Sequence, residues 1–300
     1  MPGGDGPHNL APGQCTDDTE LELSLMHALR EHSQQQHLKH LETGTLEKDA
    51  LLEIIAKKYI QWHRSDPFDI GHTCKRAFSA CEDATGMLAN ALMYNQRSQA
   101  NGALMRIAPL AVWGQGLPLD LIADLAKADA MLSHPNAITQ EVNALYTMAL
   151  VHLLQSPGDS AGAVQLVEEM ITLQVVQDWY KTAMCAESPD DITGVNQNIG
   201  HVRHAFVLSM YFLKNNTPFE DAIFHTLLKG GDTDTNAKIV GNMLGALHGL
   251  AGIPEYMRRM TEMSDCMLVG GLTVKSLPSH LVELQPDDTL LSSFEMSQIF

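Results

Sequence analysis

Residues 227–250 read LLKGGDTDTNAKIVGNMLGALHGL. The run leaves one helix near Lys229, crosses a two-glycine break and enters a second helix predicted over 235–250. Adjacent Gly230 and Gly231 permit φ > 0 and a close backbone approach. Asp232, Thr233, Asp234, Thr235 and Asn236 then load the start of the second helix with oxygen atoms. This helix–break–helix grammar extends over the chain: Ala, Leu and Met recur, while Val, Ile and Thr rarely alternate with polar residues. Helices are therefore favoured over strands. The expected fold class is all-α, a single compact multi-helix domain.

Leu52, Ile55, Ala56 and Tyr59 follow the i, i+3, i+4, i+7 spacing of an amphipathic helix, and Leu121, Leu125, Ala128 and Leu132 form a similar stripe. Further helices are expected after Asp18, Gly71 and Asn101, and over 136–154, 161–180, 198–213 and 218–228. Pro109, Pro118, Pro135, Pro157, Pro189, Pro218 and Pro254 punctuate them. No linker-like composition or repeat interrupts residues 15–260. One helical domain over 15–264 is expected, with a flexible segment at 1–14 and a loosely packed tail at 265–300, where Gly, Pro and Ser cluster.

The chain has 300 residues, with 19 Lys and Arg against 36 Asp and Glu, a net charge of −17. Such acidity argues against nucleic acid as the main partner. With 45% hydrophobic and 18% charged residues, the chain can fill a core. No apolar run is long enough to span a bilayer, and the N-terminus lacks a secretory pattern. The five cysteines are odd in number and show no C-x-x-C pair, which fits a reducing, cytoplasmic compartment. Cys74 and Cys81, seven apart, are expected on one buried helical face.

Two stretches could carry chemistry. Thr16-Asp17-Asp18-Thr19-Glu20 precedes the apolar-periodic Leu21, Leu25, Ala28 and Leu29. Asp17 and Glu20 fit a capping box, but a turn entering a helix can also aim both aspartates at one point. Asp232, Asp234 and Asn236 resemble the opening of an EF-hand loop. That reading fails, because Ala237 and Met243 stand where the turn glycine and the bidentate glutamate belong. A helix cap remains the alternative. If both stretches face one site, each like-charge pair at ~4 Å and a dielectric near ~20 costs about 4 kcal/mol. Such carboxylates must take up protons or bind divalent cations. Oxygen-only donors select Mg²⁺ or Mn²⁺ before Zn²⁺.

GQCTDDTELELSLMHAL at 13–29 and the 227–250 stretch resemble the two signatures of the ADP-ribosylglycohydrolase family. PFDIGHTCKRA at 67–77, NGALMRIAPLAVW at 101–113, SHPN at 133–136 and GHVRHAF at 200–206 agree with it in order. The resemblance implies an all-α domain that hydrolyses the bond between ADP-ribose and an acceptor, a modified protein or small molecule, using two Mg²⁺ or Mn²⁺ ions. By motif position, Thr16, Asp17, Asp18, Asp232, Asp234 and Thr235 would hold the metals. Asp18, Asp232 and Asp69 would be catalytic, Asp69 through acid/base or water-orienting work. Asn101, Gly102 and Ala103 match a loop that approaches ribose and phosphates, and His134 a substrate-side histidine. The alternative from another class is a non-hydrolytic relative that binds ADP-ribose or is structural, as jellyfish lens crystallins are. An unrelated metal hydrolase is a third.

The sequence departs from the family pattern in places. Only 15 residues precede Thr16, where relatives usually carry a helix with a G-D-A-x-G-like segment, and Asp5 is a superficial echo of it. Ala100 stands where many relatives have glycine, a strained position if φ > 0 is needed there. Cys15 and His201 replace residues that are often aromatic. His32, His37 and His40 are read as solvated, and Asp287-Asp288-Thr289 as a decoy.

Overall fold

The computed structural model describes residues 14–39, 47–262 and residue 281. Among them stand thirteen α-helices and no strand. The first four are α1 (Asp17–Lys39), α2 (Lys48–Arg64), α3 (His72–Phe78) and α4 (Ala84–Tyr94). A 3₁₀ turn at Asn101–Ala103 precedes α5 (Ala108–Gly114), α6 (Leu119–Met131) and α7 (Ala137–Gln155). Then come α8 (Ser160–Met170), α9 (Gln174–Cys185), α10 (Val202–Lys214), α11 (Phe219–Leu228), α12 (Thr233–His248) and α13 (Glu255–Glu262).

The centre is α7 and α10. Both are apolar around most of their circumference, which a helix tolerates only when neighbours cover every side. Helices α5, α6, α8 and α12 pack on α7, while α9 and α12 pack on α10. Helix α1 lies against α2 and α5. Starts follow local chemistry: Asp83, Asn136 and Asp159 each accept a backbone N–H of the first turn of α4, α7 and α8. No helix among the described residues is long and apolar enough to cross a membrane.

The expected helix over 161–180 is two helices. Glu141 of α7 is buried and accepts from the Thr172 and Leu173 N–H groups and from the Thr172 hydroxyl. This partner in another helix satisfies backbone donors that a continuous helix would use internally, so α8 stops at Met170 and α9 restarts at Gln174. Asn101 likewise opens a single 3₁₀ turn, with α-helix resuming only at Ala108. Cys74 and Cys81 are both buried but do not share a helix, because α3 ends at Phe78. His32 is buried rather than solvated. It continues the Leu25, Ala28, Leu29 stripe and meets Trp113 of α5 edge-on at 5.9 Å. The side chains of His37 and His40, the decoy triplet and segments 1–13 and 282–300 lie outside the described residues. Within the expected tail, Leu281 is buried in the core.

Of the expected α6 stripe, Leu125 and Leu132 are buried and Leu121 and Ala128 only partly so, while Ile122, Ala126 and Asp129 also face inward. Asp129 is there for Arg106, which is fully buried. Arg106 Nε donates to Asp129 Oδ2 at 3.0 Å and Nη2 to the Asp129 carbonyl at 2.9 Å. Tyr59 Oη donates to Asp129 Oδ1 at 2.7 Å, and its ring lies 4.4 Å from the guanidinium carbon. Burial works against the guanidinium charge, but Asp129 more than offsets it and holds the arginine ionised. Removing one member of such a pair leaves a buried charge alone. Asp129→Ala is expected to lower unfolding free energy by about 3–5 kcal/mol in urea titration, whereas Arg106→Met with Asp129→Leu loses much less.

Candidate functional site

The first turn of α1 and the first turn of α12 meet through Asp18. Its Oδ2 accepts from the Thr16 hydroxyl at 3.0 Å and from the Thr235 hydroxyl at 3.3 Å. Thr235 lies 217 positions away in sequence, so the contact brings the two acidic stretches together. Asp18 Oδ1 is buried and has no hydrogen-bond partner. One turn further along α12, Lys238 donates to the Met105 carbonyl at 2.7 Å and pairs with Glu22 of α1. Asn242 donates to the other Glu22 oxygen at 3.2 Å. These contacts fix α1, α12 and the segment after the 3₁₀ turn against one another.

Asp17 is buried and accepts from the Gly71 N–H at 3.2 Å. That bond draws in the 67–71 loop with Asp69, whose charge acts on Asp17 and Glu20. Glu20 is held by Trp62, whose Nε1 donates to Oε2 at 2.7 Å. Its carboxylate is thus tied to α2 rather than closing the expected capping box.

On the far side, Asp232 sits before α12 without a side-chain cap bond to it. The Asn101 amide donates to its Oδ2 at 2.7 Å, so this residue of the expected substrate loop also holds a carboxylate. Asp234 is exposed beside them. Both glycines have positive φ, 67° at Gly230 and 77° at Gly231. A Cβ at Gly231 would lie 2.5 Å from the Val195 carbonyl oxygen, so this is the close approach that glycine allows. Ala100 has φ −74° and carries no strain. It bridges to His201, whose Nε2 donates to Gln99 Oε1 and whose ring packs edge-on to Trp179 at 5.5 Å. Gly102 and Ala103 are buried in the 3₁₀ turn, and His134 is fully buried behind Gly102.

Burial, and then the neighbouring charge of Asp18, pushes the Asp17 carboxyl up to about 8. Burial and Asp234 push Asp18 up to about 7. Asp232 is raised by burial, with the Asn101 bond working against the shift. These groups repel one another, and among the described residues they lack cationic partners of their own beyond Lys238. Among the described residues no group of three or more His, Cys, Asp or Glu side chains stands ready in ligand geometry. The donor chemistry nevertheless fits a hard cation: oxygen atoms only, an unpartnered buried oxygen on Asp18 and mutual repulsion that positive charge relieves.

A family model described as ADP-ribosylglycohydrolase matches residues 1–289. The chain belongs to the ADP-ribosylglycohydrolase family. It is a glycohydrolase by class. A protein of Acanthamoeba polyphaga mimivirus with the family's name is 30% identical over 264 residues, covering 82% of this chain and 74% of that one. The ADP-ribosyl-[dinitrogen reductase] glycohydrolase of Rhodospirillum rubrum is 27% identical over 254 residues, covering 84% and 74%. A solved structure described as an ADP-ribosylglycohydrolase-related protein complex superimposes with TM-score 0.66 at 22% identity, covering 88% of this chain and 82% of that one. That likeness bears on the fold.

Within this glycohydrolase the sequence did not reveal Gly71, Trp62 and Lys238 as supports of the acidic residues. An Arg inside the apolar run LMRIAPL was the one readable signal of a buried charge nearby. Gly231→Ala is expected to lower stability by about 1–3 kcal/mol, since both backbone strain and the Val195 contact oppose a Cβ. Gly71→Ala, with open space around its Cβ position, should stay within about 0.5 kcal/mol. Thermal unfolding of the two variants checks the contrast.

Proposed function

We propose that the protein releases ADP-ribose from an ADP-ribosylated protein or small acceptor, with two Mg²⁺ or Mn²⁺ ions between the turn at Thr16, Asp17 and Asp18 and the helix start at Asp232, Asp234 and Thr235. The observation that carries this reading is Asp18, with one oxygen accepting from Thr16 and Thr235 and the other buried without a partner. Named relatives support the substrate class. The Rhodospirillum rubrum protein is named for ADP-ribosylated dinitrogen reductase, and a Pseudomonas putida relative, 24% identical over 264 residues with 63% of its length covered, for ADP-ribosylarginine.

The ions, when bound, supply positive charge that neutralises the aspartates and lowers the pKa of the attacking water. The chain's own groups do the rest. Cleavage at the anomeric carbon develops oxocarbenium character, which the carboxylates of Asp18 and Asp232 stabilise. Asn101 keeps Asp232 oriented, and the Gly71 N–H keeps Asp17 oriented. Asp69, half-buried on the loop beside Asp17, is the group placed to take a proton from water. The turn of Asn101, Gly102 and Ala103 lines the side on which ribose and phosphates lie, so an anionic ligand is compatible with the net charge of −17.

A panel of ADP-ribosylated substrates assayed with and without EDTA tests the reading. Release should need Mg²⁺ or Mn²⁺. Asp232→Asn and Asp234→Asn should each lose more than about 100-fold, and Asn101→Ala, an outer support, about 10- to 100-fold. Calorimetry that shows ADP-ribose and metal binding without turnover would assign a binding role instead.

A further inference from the structure

Past Gly71 the chain leaves the site as α3, and one face of that helix is basic. His72, Lys75 and Arg76 stand at i, i+3 and i+4 and are exposed, while Cys74, Ala77 and Phe78 turn inward. Gly71 is itself exposed, and a Cβ built on it would meet nothing within 4 Å. The site is therefore open on the side where this face begins, next to Asp17 and Asp69. The end of α4 and the turn after it continue the face. Asn90 of α4 donates to the Ala77 and Ser79 carbonyls, Asn95 donates to the Thr73 carbonyl, and the Thr73 and Ser98 hydroxyls lie 2.9 Å apart. These bonds seat exposed Arg97 beside α3, just ahead of Asn101. Leu92, Met93 and Tyr94 precede it and are exposed, Met93 to 71%. Single apolar side chains in solvent are ordinary, but three in a row mark a contact surface.

The charge of this rim contrasts with the chain's net −17. Lys57, Lys58 and Arg64 of neighbouring α2 each pair with a glutamate. Among the described residues no carboxylate pairs with Lys75, Arg76 or Arg97. Nearby Glu82 is taken by Arg64, Asp83 caps α4, Asp69 acts on Asp17 and Asp66 acts on His63. The excess of positive charge reaches α2: burial, and then Lys75 and Arg64, hold His63 below its usual range.

We propose that this rim, with Lys75, Arg76 and Arg97 beside Met93 and Tyr94, docks the protein that carries the ADP-ribosyl group and selects acidic residues flanking the modified side chain. The inference rests on the proposed function and, within it, favours a protein acceptor over a small molecule. An acceptor bonded to ADP-ribose has to extend out of the site, and the opening at Gly71 leads it over this face. A chain of net −17 repels an acidic partner elsewhere, so an unpaired cationic rim both orients and selects it. Tyrosine, methionine and arginine are also the side chains enriched where proteins meet. Three cations do not make the longer basic track that a nucleic acid requires.

Three substrates carrying the linkage cleaved in the panel above test this: an ADP-ribosylated amino acid, a peptide with that residue flanked by Asp and Glu, and the same peptide flanked by Lys. With the full chain and Mg²⁺, kcat/KM for the acidic peptide should exceed that for the lysine peptide about tenfold, and the gap should close as NaCl rises from about 50 to about 500 mM. Lys75→Glu with Arg76→Glu and Arg97→Glu should lower the acidic-peptide value about 10- to 100-fold, mainly through KM, and remove the preference. Met93→Ala with Tyr94→Ala should lower both peptide values about fivefold. Release from the modified amino acid, within about twofold of wild type in both variants, shows that they fold. Equal values for the two peptides, or a preference that survives charge reversal, overturns the docking surface and leaves the proposed function standing. If no linkage is cleaved, the proposed function fails. Anisotropy of a fluorescent Asp- and Glu-rich peptide then decides the surface: binding that charge reversal abolishes supports it, and no binding to the unaltered chain overturns it.

Discussion

One carboxylate oxygen, Oδ2 of Asp18, accepts hydroxyls from both ends of the described chain. Everything else at the site is arranged around that constraint. Two helices begin at one point with their acidic first turns facing, which places like charges where water is scarce. The fold opposes the repulsion mechanically, through Lys238, Glu22 and the Met105 carbonyl, and by sharing individual carboxylates out to Gly71, Asn101 and Trp62. The aspartates are thus held near one another without being allowed to relax apart. Positive charge brought to this cluster would relieve its repulsion.

Behind the acidic face lies a second polar core of opposite character. Arg106 is enclosed by Asp129, Ser133 and the rings of Tyr59 and Phe78. It spans α2, α3, α6 and the segment after the 3₁₀ turn, so the backbone that carries Asn101 to Asp232 is anchored on a buried ion pair. The positive group is too well neutralised locally to serve as counter-charge for the aspartates. Its contribution is to shape.

The sequence made the helical class, the acidic stretches and the glycine break readable because each depends on local chemistry: helix-forming composition, caps and a doublet that tolerates φ > 0. The meeting of Asp18 with Thr235 was legible only as a condition, since two acidic turns must be brought together before their repulsion means anything. What escaped depended on distant partners. Glu141 divides a helically patterned run by capturing Thr172 and Leu173 from another helix, and no window around residue 172 contains that fact. His32 looked solvated among glutamines because the apolar face of α5 that covers it lies some eighty residues away. Ala100 raised a false alarm, because the strain it would suffer belongs to a backbone angle that this chain does not adopt.

The span between Asp18 and Thr235 also has a temporal side. During synthesis at about 5–20 residues per second, the 217 positions from Asp18 to Thr235 take on the order of 10–40 s to emerge. Throughout that interval α1 presents an acidic first turn whose partner turn in α12 has not yet been made. The apolar stripe of α1 finds shelter earlier, against α2 and α5, whereas closure of the acidic site waits on α12.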